Sequence, residues 1–92
     1  MQDESRRIKI KLLERSREIS SYVSDSLLEI YFPFSRDGSA SVFTRHLEDR
    51  TIKAEGCDYE ITVKNESTAN LVRKEILKNL GDFVEIKITS AE

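Results

Sequence analysis

The stretch Ser16–Phe32, SREISSYVSDSLLEIYF, predicts an amphipathic helix. Its apolar residues recur three or four positions apart, which places them along one side of a helix. These residues are Ile19, Tyr22, Val23, Leu27, Ile30 and Tyr31. Ser16 is a suitable N-cap, and Ser26 lies in the middle of the apolar stripe. Pro33 is expected to end the helix, because a proline disfavours the helical conformation in the residue before it.

Segments on both sides of this helix alternate between apolar and polar residues, as half-buried strands do. Residues 7–13 come before the helix, with Ile8, Ile10 and Leu12 on one face. After the helix we predict extended segments over 42–47 and 51–55 and a strand over 59–64. A second helix follows, capped by Asn65 or Ser67, and its buried side carries Ala69, Val72, Ile76 and Leu80. The last predicted element is a strand over 84–89.

The resulting order, β-α-β-β-α-β, predicts a single α+β domain over residues 1–92, with residues 1–5 frayed. Short connections and right-handed crossovers favour a ferredoxin-like, two-layer sandwich, in which both helices cover one face of a four-stranded antiparallel sheet. The alternative is a five-stranded sheet, in which the second strand is split into two near Asp49.

Composition limits the class of protein. Fifteen basic and seventeen acidic side chains give a formal net charge of −2, which disfavours binding nucleic acid through charge alone. The single cysteine, Cys57, excludes a disulfide within the chain and favours a reducing compartment. No apolar run approaches the roughly 20 residues that cross a bilayer. These features predict a cytoplasmic protein without a membrane partner.

Catalytic and metal-binding patterns are absent from the sequence. His46 is the only histidine, so a metal site would need Cys57 and carboxylates as its other ligands. Acidic residues flank Cys57 on both sides, and negative charge disfavours the reactive thiolate. We therefore predict no enzymatic activity, no cofactor and no metal.

The loop Ser35–Ser41 is a weak candidate for a small-anion site, because it contains hydroxyl groups, Arg36 and Gly38. However, it follows the carboxyl end of a predicted helix, where the helix dipole repels anions. An ordinary surface connection is the better interpretation.

A nucleic-acid-binding function is the alternative to be weighed, because the RNA-recognition motif has the same order of strands and helices. That motif stacks bases on aromatic residues of its open sheet face. Here the predicted open face carries Lys9, Lys11, Glu60, Thr62 and Lys64, while Tyr59 faces the core. The basic segment Arg6, Arg7, Lys9 and Lys11 is left as a candidate for weak phosphate contacts.

Apolar residues outside the predicted core favour protein–protein association. Leu28 and Phe32 lie four residues apart on the side of the first helix opposite its apolar stripe, and Phe34 follows closely. Leu71 also lies off the stripe of the second helix. Clustered apolar surface is typical of interfaces, so we predict a small subunit or self-associating module that uses Leu28, Phe32 and Phe34. A small-ligand-binding domain is the third possibility.

The segment Asn65-Glu66-Ser67-Thr68-Ala69-Asn70-Leu71, which follows a strand, resembles the second helix of the small dimerising subunit of the archaeal KEOPS tRNA-modification complex. This resemblance covers the second half of the chain and implies a subunit that associates with other proteins. Val72 stands where that family usually has arginine, so no functional residue is carried over. The element order is also similar to that of acylphosphatases and ACT domains. An acylphosphatase has an arginine-bearing, glycine-containing loop after its first strand; Arg15 and Arg17 are present here, but the loop glycines are missing. An ACT domain has a glycine at the turn between its first strand and first helix, and Glu14-Arg15-Ser16 contains none.

Overall fold

The computed structural model describes residues 4–14, 16–45 and 57–91 and contains six elements in these ranges. They are strand β1 (Arg6–Leu12), helix α1 (Arg17–Arg36), strand β2 (Ala40–Arg45), strand β3 (Tyr59–Val63), helix α2 (Glu66–Leu80) and strand β4 (Val84–Ser90). The predicted β-α-β-β-α-β order is confirmed. The possible division of the second strand, together with His46, lies outside the described residues.

The four strands form one antiparallel sheet in the order β2-β3-β1-β4. β1 is central, and Ile8 is paired with Ile61 on one side and with Ile88 on the other. Both helices pack on the same face, α1 against β2 and α2 mainly against β1 and β4. This arrangement confirms the ferredoxin-like sandwich.

The hydrophobic core lies between the sheet and the two helices. The strands contribute alternate residues, because successive side chains point to opposite faces of a sheet. Ile8, Ile10, Tyr59 and Ile61 are fully buried in this way. The helices add Val23, Leu27, Ala69, Val72, Ile76 and Leu80. The stripe predicted for the second helix is therefore confirmed.

Both helices begin at side-chain caps. The Ser16 hydroxyl accepts a hydrogen bond from the Ile19 N–H at 3.1 Å, as predicted. The Asn65 carbonyl oxygen accepts one from the Thr68 N–H at 2.8 Å, so Asn65 rather than Ser67 caps α2. Each cap satisfies one backbone donor that has no partner within its helix.

Pro33 does not end α1, and that prediction is wrong. The helix continues to Arg36, so Pro33 lies within its last turn. A proline removes only its own N–H donor, and the carbonyls that follow it are used by the next residues. The Asp37 N–H donates to the Pro33 carbonyl, and the Ser39 N–H donates to the Phe34 carbonyl at 2.8 Å.

Two further expectations for α1 need correction. Tyr22 is 51% exposed rather than buried, and its ring packs edge-on against Phe83 with centroids 5.7 Å apart. Ser24, not Ser26, is the buried serine of the helix. Arg45 reaches it from β2, and the guanidinium donates to the Ser24 hydroxyl at 3.4 Å.

Gly38 occupies the one position with positive φ among the described residues, with φ of 85°. A side chain there would meet no neighbouring atom within 4 Å, so only backbone conformation requires glycine. We expect Gly38→Ala to lower the free energy of unfolding by about 1–2 kcal/mol, and Gly38→Asn to lower it less, because asparagine tolerates this conformation. Urea denaturation measures both values. Equal stability of Gly38→Ala and wild type would contradict the expectation.

Candidate functional site

The surface of α1 that points away from the core carries four residues in regular order. We call Asp25, Leu28, Phe32 and Arg36 the outer stripe. Their spacings of three, four and four residues place them on one side of the helix, opposite the buried Val23 and Leu27. Phe32 is 54% exposed, Leu28 is half-buried, and the two charged residues are exposed.

A row of aromatic rings connects Phe32 with the core. The Phe32 ring centroid lies 6.2 Å from that of Tyr31, and the Tyr31 centroid lies 5.6 Å from that of Phe43. Phe43 in turn stacks on the fully buried Tyr59 with centroids 6.1 Å apart. Ring contacts at these distances are favourable. The exposed ring of Phe32 is therefore the outer end of a row of aromatic contacts that reaches the core.

Phe34 lies apart from the outer stripe. It is half-buried and packs against the core. It also lines a shallow groove between the two helices, together with Glu29, Ile30, Pro33 and Glu75. Of the three residues predicted as an interface, Leu28 and Phe32 belong to the outer stripe, whereas Phe34 faces the groove. Leu71 is 56% exposed on the other helix.

The four basic residues of the N-terminal strand are divided between the two faces of the sheet. Arg6 lies on the same face of β1 as the buried Ile8 and Ile10, and its guanidinium lies 3.7 Å from the Glu66 carboxylate on α2. Arg7, Lys9 and Lys11 follow the opposite parity and lie on the open face. Arg6 is therefore not part of one basic surface with the other three.

Acidic groups lie among the basic groups of the open face. The Arg7 guanidinium lies 3.7 Å from the Glu60 carboxylate and donates to the Ala91 carbonyl at 3.1 Å. Lys9 pairs in register with Glu60, and Lys11 pairs with Glu85. The described strands carry no aromatic residue at open-face positions, since Tyr59 and Phe43 both lie on the helix side. In these strands the open face offers no platform on which bases stack.

The backbone of the loop weighed as an anion site makes its own hydrogen bonds. The Gly38 N–H donates to the Ser35 carbonyl, and the Ser39 N–H donates to both the Phe34 carbonyl and the Asp37 carboxylate. Hydrogen bonds from the Ser39 hydroxyl and the Ser39 N–H, together with the charge of Lys64, hold the pKa of Asp37 below its usual value. The Asp37 carboxylate thus uses the Ser39 N–H, a donor that a bound anion would need.

A polar cleft between the first half of α1 and the end of β2 was missed by sequence reasoning. It is lined by Arg17, Ser20, Ser21, Ser24, Asp25 and Arg45. Beneath it, the Tyr59 hydroxyl donates to the Ser20 carbonyl at 3.1 Å, and burial raises the pKa of Tyr59. No local pattern predicts this cleft, because Arg45 comes from a different element. The cleft contains two positive charges, on Arg17 and Arg45, and the negative charge of Asp25 offsets one of them.

Other candidate chemistry is sparse in the described part of the chain. Cys57 is buried and carries a thiol rather than a disulfide. Across residues 4–14, 16–45 and 57–91, no group of three or more His, Cys, Asp or Glu side chains is placed to hold a metal ion. No described helix has the length and apolar character needed to cross a membrane.

Comparison with known proteins adds no assignment to this geometry. The chain matches no protein family, no curated protein and no solved structure.

Proposed function

We propose that this protein is a non-catalytic association module, and that it binds a protein through the outer stripe of α1. The observation that carries the proposal is Phe32, an exposed aromatic ring that contacts Tyr31, the first ring of a row that leads through Phe43 to the buried Tyr59. Nothing in the fold requires an aromatic residue on the outer side of this helix.

The physical argument is that a rigid aromatic side chain binds at low entropic cost. A long flexible side chain loses about 0.5–1.5 kcal/mol when a partner immobilises it, whereas an aromatic side chain with two rotatable bonds loses less. Aromatic residues near the centre of an interface contribute most of the binding energy, and charged residues form the rim. Phe32 and Leu28 fit the centre, while Asp25 and Arg36 fit the rim.

The test is Phe32→Asp, with Leu71→Asp as a matched control, because Leu71 is 56% exposed and Phe32 is 54% exposed. We expect Phe32→Asp to weaken association at least about 30-fold, since a central residue contributes about 2 kcal/mol or more. Leu71→Asp should change it by less than about threefold. Sedimentation velocity measures self-association, and affinity capture followed by mass spectrometry identifies any other partner.

Each substitution places aspartate within a helix at a half-covered position, so each should lower the free energy of unfolding by about 1 kcal/mol. Circular dichroism during thermal unfolding checks this. The proposal fails if wild type stays monomeric at high concentration and no captured protein depends on Phe32. It also fails if Leu71→Asp weakens association as much as Phe32→Asp does.

A further inference from the structure

The groove between the two helices has an apolar floor and an acidic residue from each helix. Ile30 and Phe34 form the floor together with Pro33, and both are half-buried and pack against the core. Glu29 of α1 and Glu75 of α2 are exposed and line the same groove. Because the core holds the floor in place, the groove exists before any ligand binds.

The groove has the size and composition of a small-molecule site. Its volume is about 400 Å³, and small-molecule sites occupy about 300–1,000 Å³. The clefts beside Arg6 and beside Arg45 are smaller, at about 300 and 220 Å³. Small-molecule sites are mostly apolar and contain a few polar groups that orient the ligand. Here Ile30, Pro33 and Phe34 provide the apolar part, and the two carboxylates provide the polar part.

The charge of the groove selects the kind of ligand. The described residues that line it include no lysine and no arginine. In the described part of the chain, no basic side chain forms an ion pair with Glu29 or with Glu75. The described residues therefore leave two negative charges at the groove, and these charges favour a cation over a neutral molecule or an anion.

We infer that the groove binds an aliphatic diamine, with the hydrocarbon chain on Ile30, Pro33 and Phe34 and one ammonium group at each carboxylate. The axes of packed helices lie about 8–10 Å apart, so a short diamine can reach from Glu29 on one helix to Glu75 on the other. An inorganic cation would leave the apolar floor in water, and a monoamine would leave one carboxylate without a partner. The outer stripe is a different surface of α1, so this site is independent of the proposed association.

The experiment titrates the full chain with putrescine, the four-carbon diamine, and records two-dimensional ¹H–¹⁵N spectra. Exposed ion pairs contribute little, so the dissociation constant should be on the order of millimolar. We expect the largest shifts at the amides of Glu29, Ile30, Phe34 and Glu75. Butylamine has the same hydrocarbon chain and one ammonium group, and it should bind at least about threefold more weakly.

Glu29→Gln and Glu75→Gln each remove one negative charge and keep the shape of the side chain. Each should weaken putrescine binding about fivefold, the upper end for an exposed ion pair. Glu18→Gln is the matched control, because Glu18 is exposed in the first turn of the same helix and changes the net charge equally. It lies about 16 Å from Glu29 along the helix, beyond the Debye length of about 8 Å at physiological salt, so the dissociation constant should not change.

The inference is overturned if Glu18→Gln weakens binding as much as the groove variants do, because net charge alone would then attract the ligand. It is also overturned if butylamine binds as tightly as putrescine, if Mg²⁺ shifts the same amides equally, or if putrescine gives no saturable shift. Groove amides that shift with protein concentration alone would identify a second copy as the occupant. A captured protein that is lost on Glu29→Gln, without any response to putrescine, would identify a basic protein segment. Either result excludes the diamine.

Discussion

Replacing Tyr59 by alanine should lower the free energy of unfolding by about 3–5 kcal/mol, the usual range for removing a large aromatic side chain from a core. Tyr59 has the largest fully buried side chain among the described residues. Its ring stacks on Phe43, and its hydroxyl donates to the Ser20 carbonyl of α1 at 3.1 Å. The substitution leaves a cavity and removes this link between the sheet and the helix.

The control is Tyr59→Phe, which keeps the ring and removes only the hydroxyl. It should cost about 1 kcal/mol, since it leaves the Ser20 carbonyl without this donor. Urea denaturation of both variants separates packing from hydrogen bonding. If Tyr59→Ala were no less stable than Tyr59→Phe, the ring would not hold the core together.

Replacing Asp58 by alanine should lower the free energy of unfolding by about 1–3 kcal/mol. Asp58 is buried just before β3, and its carboxylate accepts a hydrogen bond from the Leu12 N–H at 2.8 Å. Its own N–H donates to the Ile10 carbonyl at 2.9 Å. The side chain thus continues the pairing of β1 past Tyr59, the first residue of β3. Without it, a buried backbone donor is left without its partner.

Asp58→Asn is the matched variant, because its amide oxygen can still accept from the Leu12 N–H. We expect it to retain more stability than Asp58→Ala in the same urea titration. Amide hydrogen exchange gives a local readout, since the Leu12 amide should exchange faster in Asp58→Ala than in wild type. Unchanged exchange at Leu12 would show that the carboxylate does not protect it.

Alternation and helical spacing predict most of this fold, because an element that buries one face has apolar residues at the period of that strand or helix. Ile8, Ile10 and Leu12 mark β1, and Ala69, Val72, Ile76 and Leu80 mark the buried side of α2. Short connections between these elements then leave few topologies.

The errors in α1 have one local and one tertiary cause. A proline disfavours the helical conformation in the residue before it, which predicted that the helix ends at Pro33. Local hydrogen bonds from the Asp37 and Ser39 N–H groups to carbonyls of the last turn instead extend the helix past Pro33. The buried Ser24 accepts a hydrogen bond from Arg45 of β2, a contact between elements that the helical pattern alone does not indicate.

The candidate site was predictable in part. Leu28 and Phe32 follow from their spacing, because they lie opposite the buried residues of the same helix. The aromatic support of Phe32 was not predictable, since Phe43 and Tyr59 come from strands and meet Tyr31 only in the folded chain. The separation of Arg6 from Lys9 and Lys11 was also predictable, because side chains an odd number of residues apart in a strand lie on opposite faces.

Chemical-shift changes of backbone amides on dilution test most directly whether the outer stripe of α1 is the association surface. Two-dimensional ¹H–¹⁵N spectra would be recorded from roughly 10 μM to 1 mM, the range that spans a weak dimer. We predict that the largest concentration-dependent shifts fall at Asp25, Leu28, Phe32 and Arg36 and disappear in Phe32→Asp. Shifts confined to the open face of the sheet, or no shifts at any concentration, would contradict self-association through this helix.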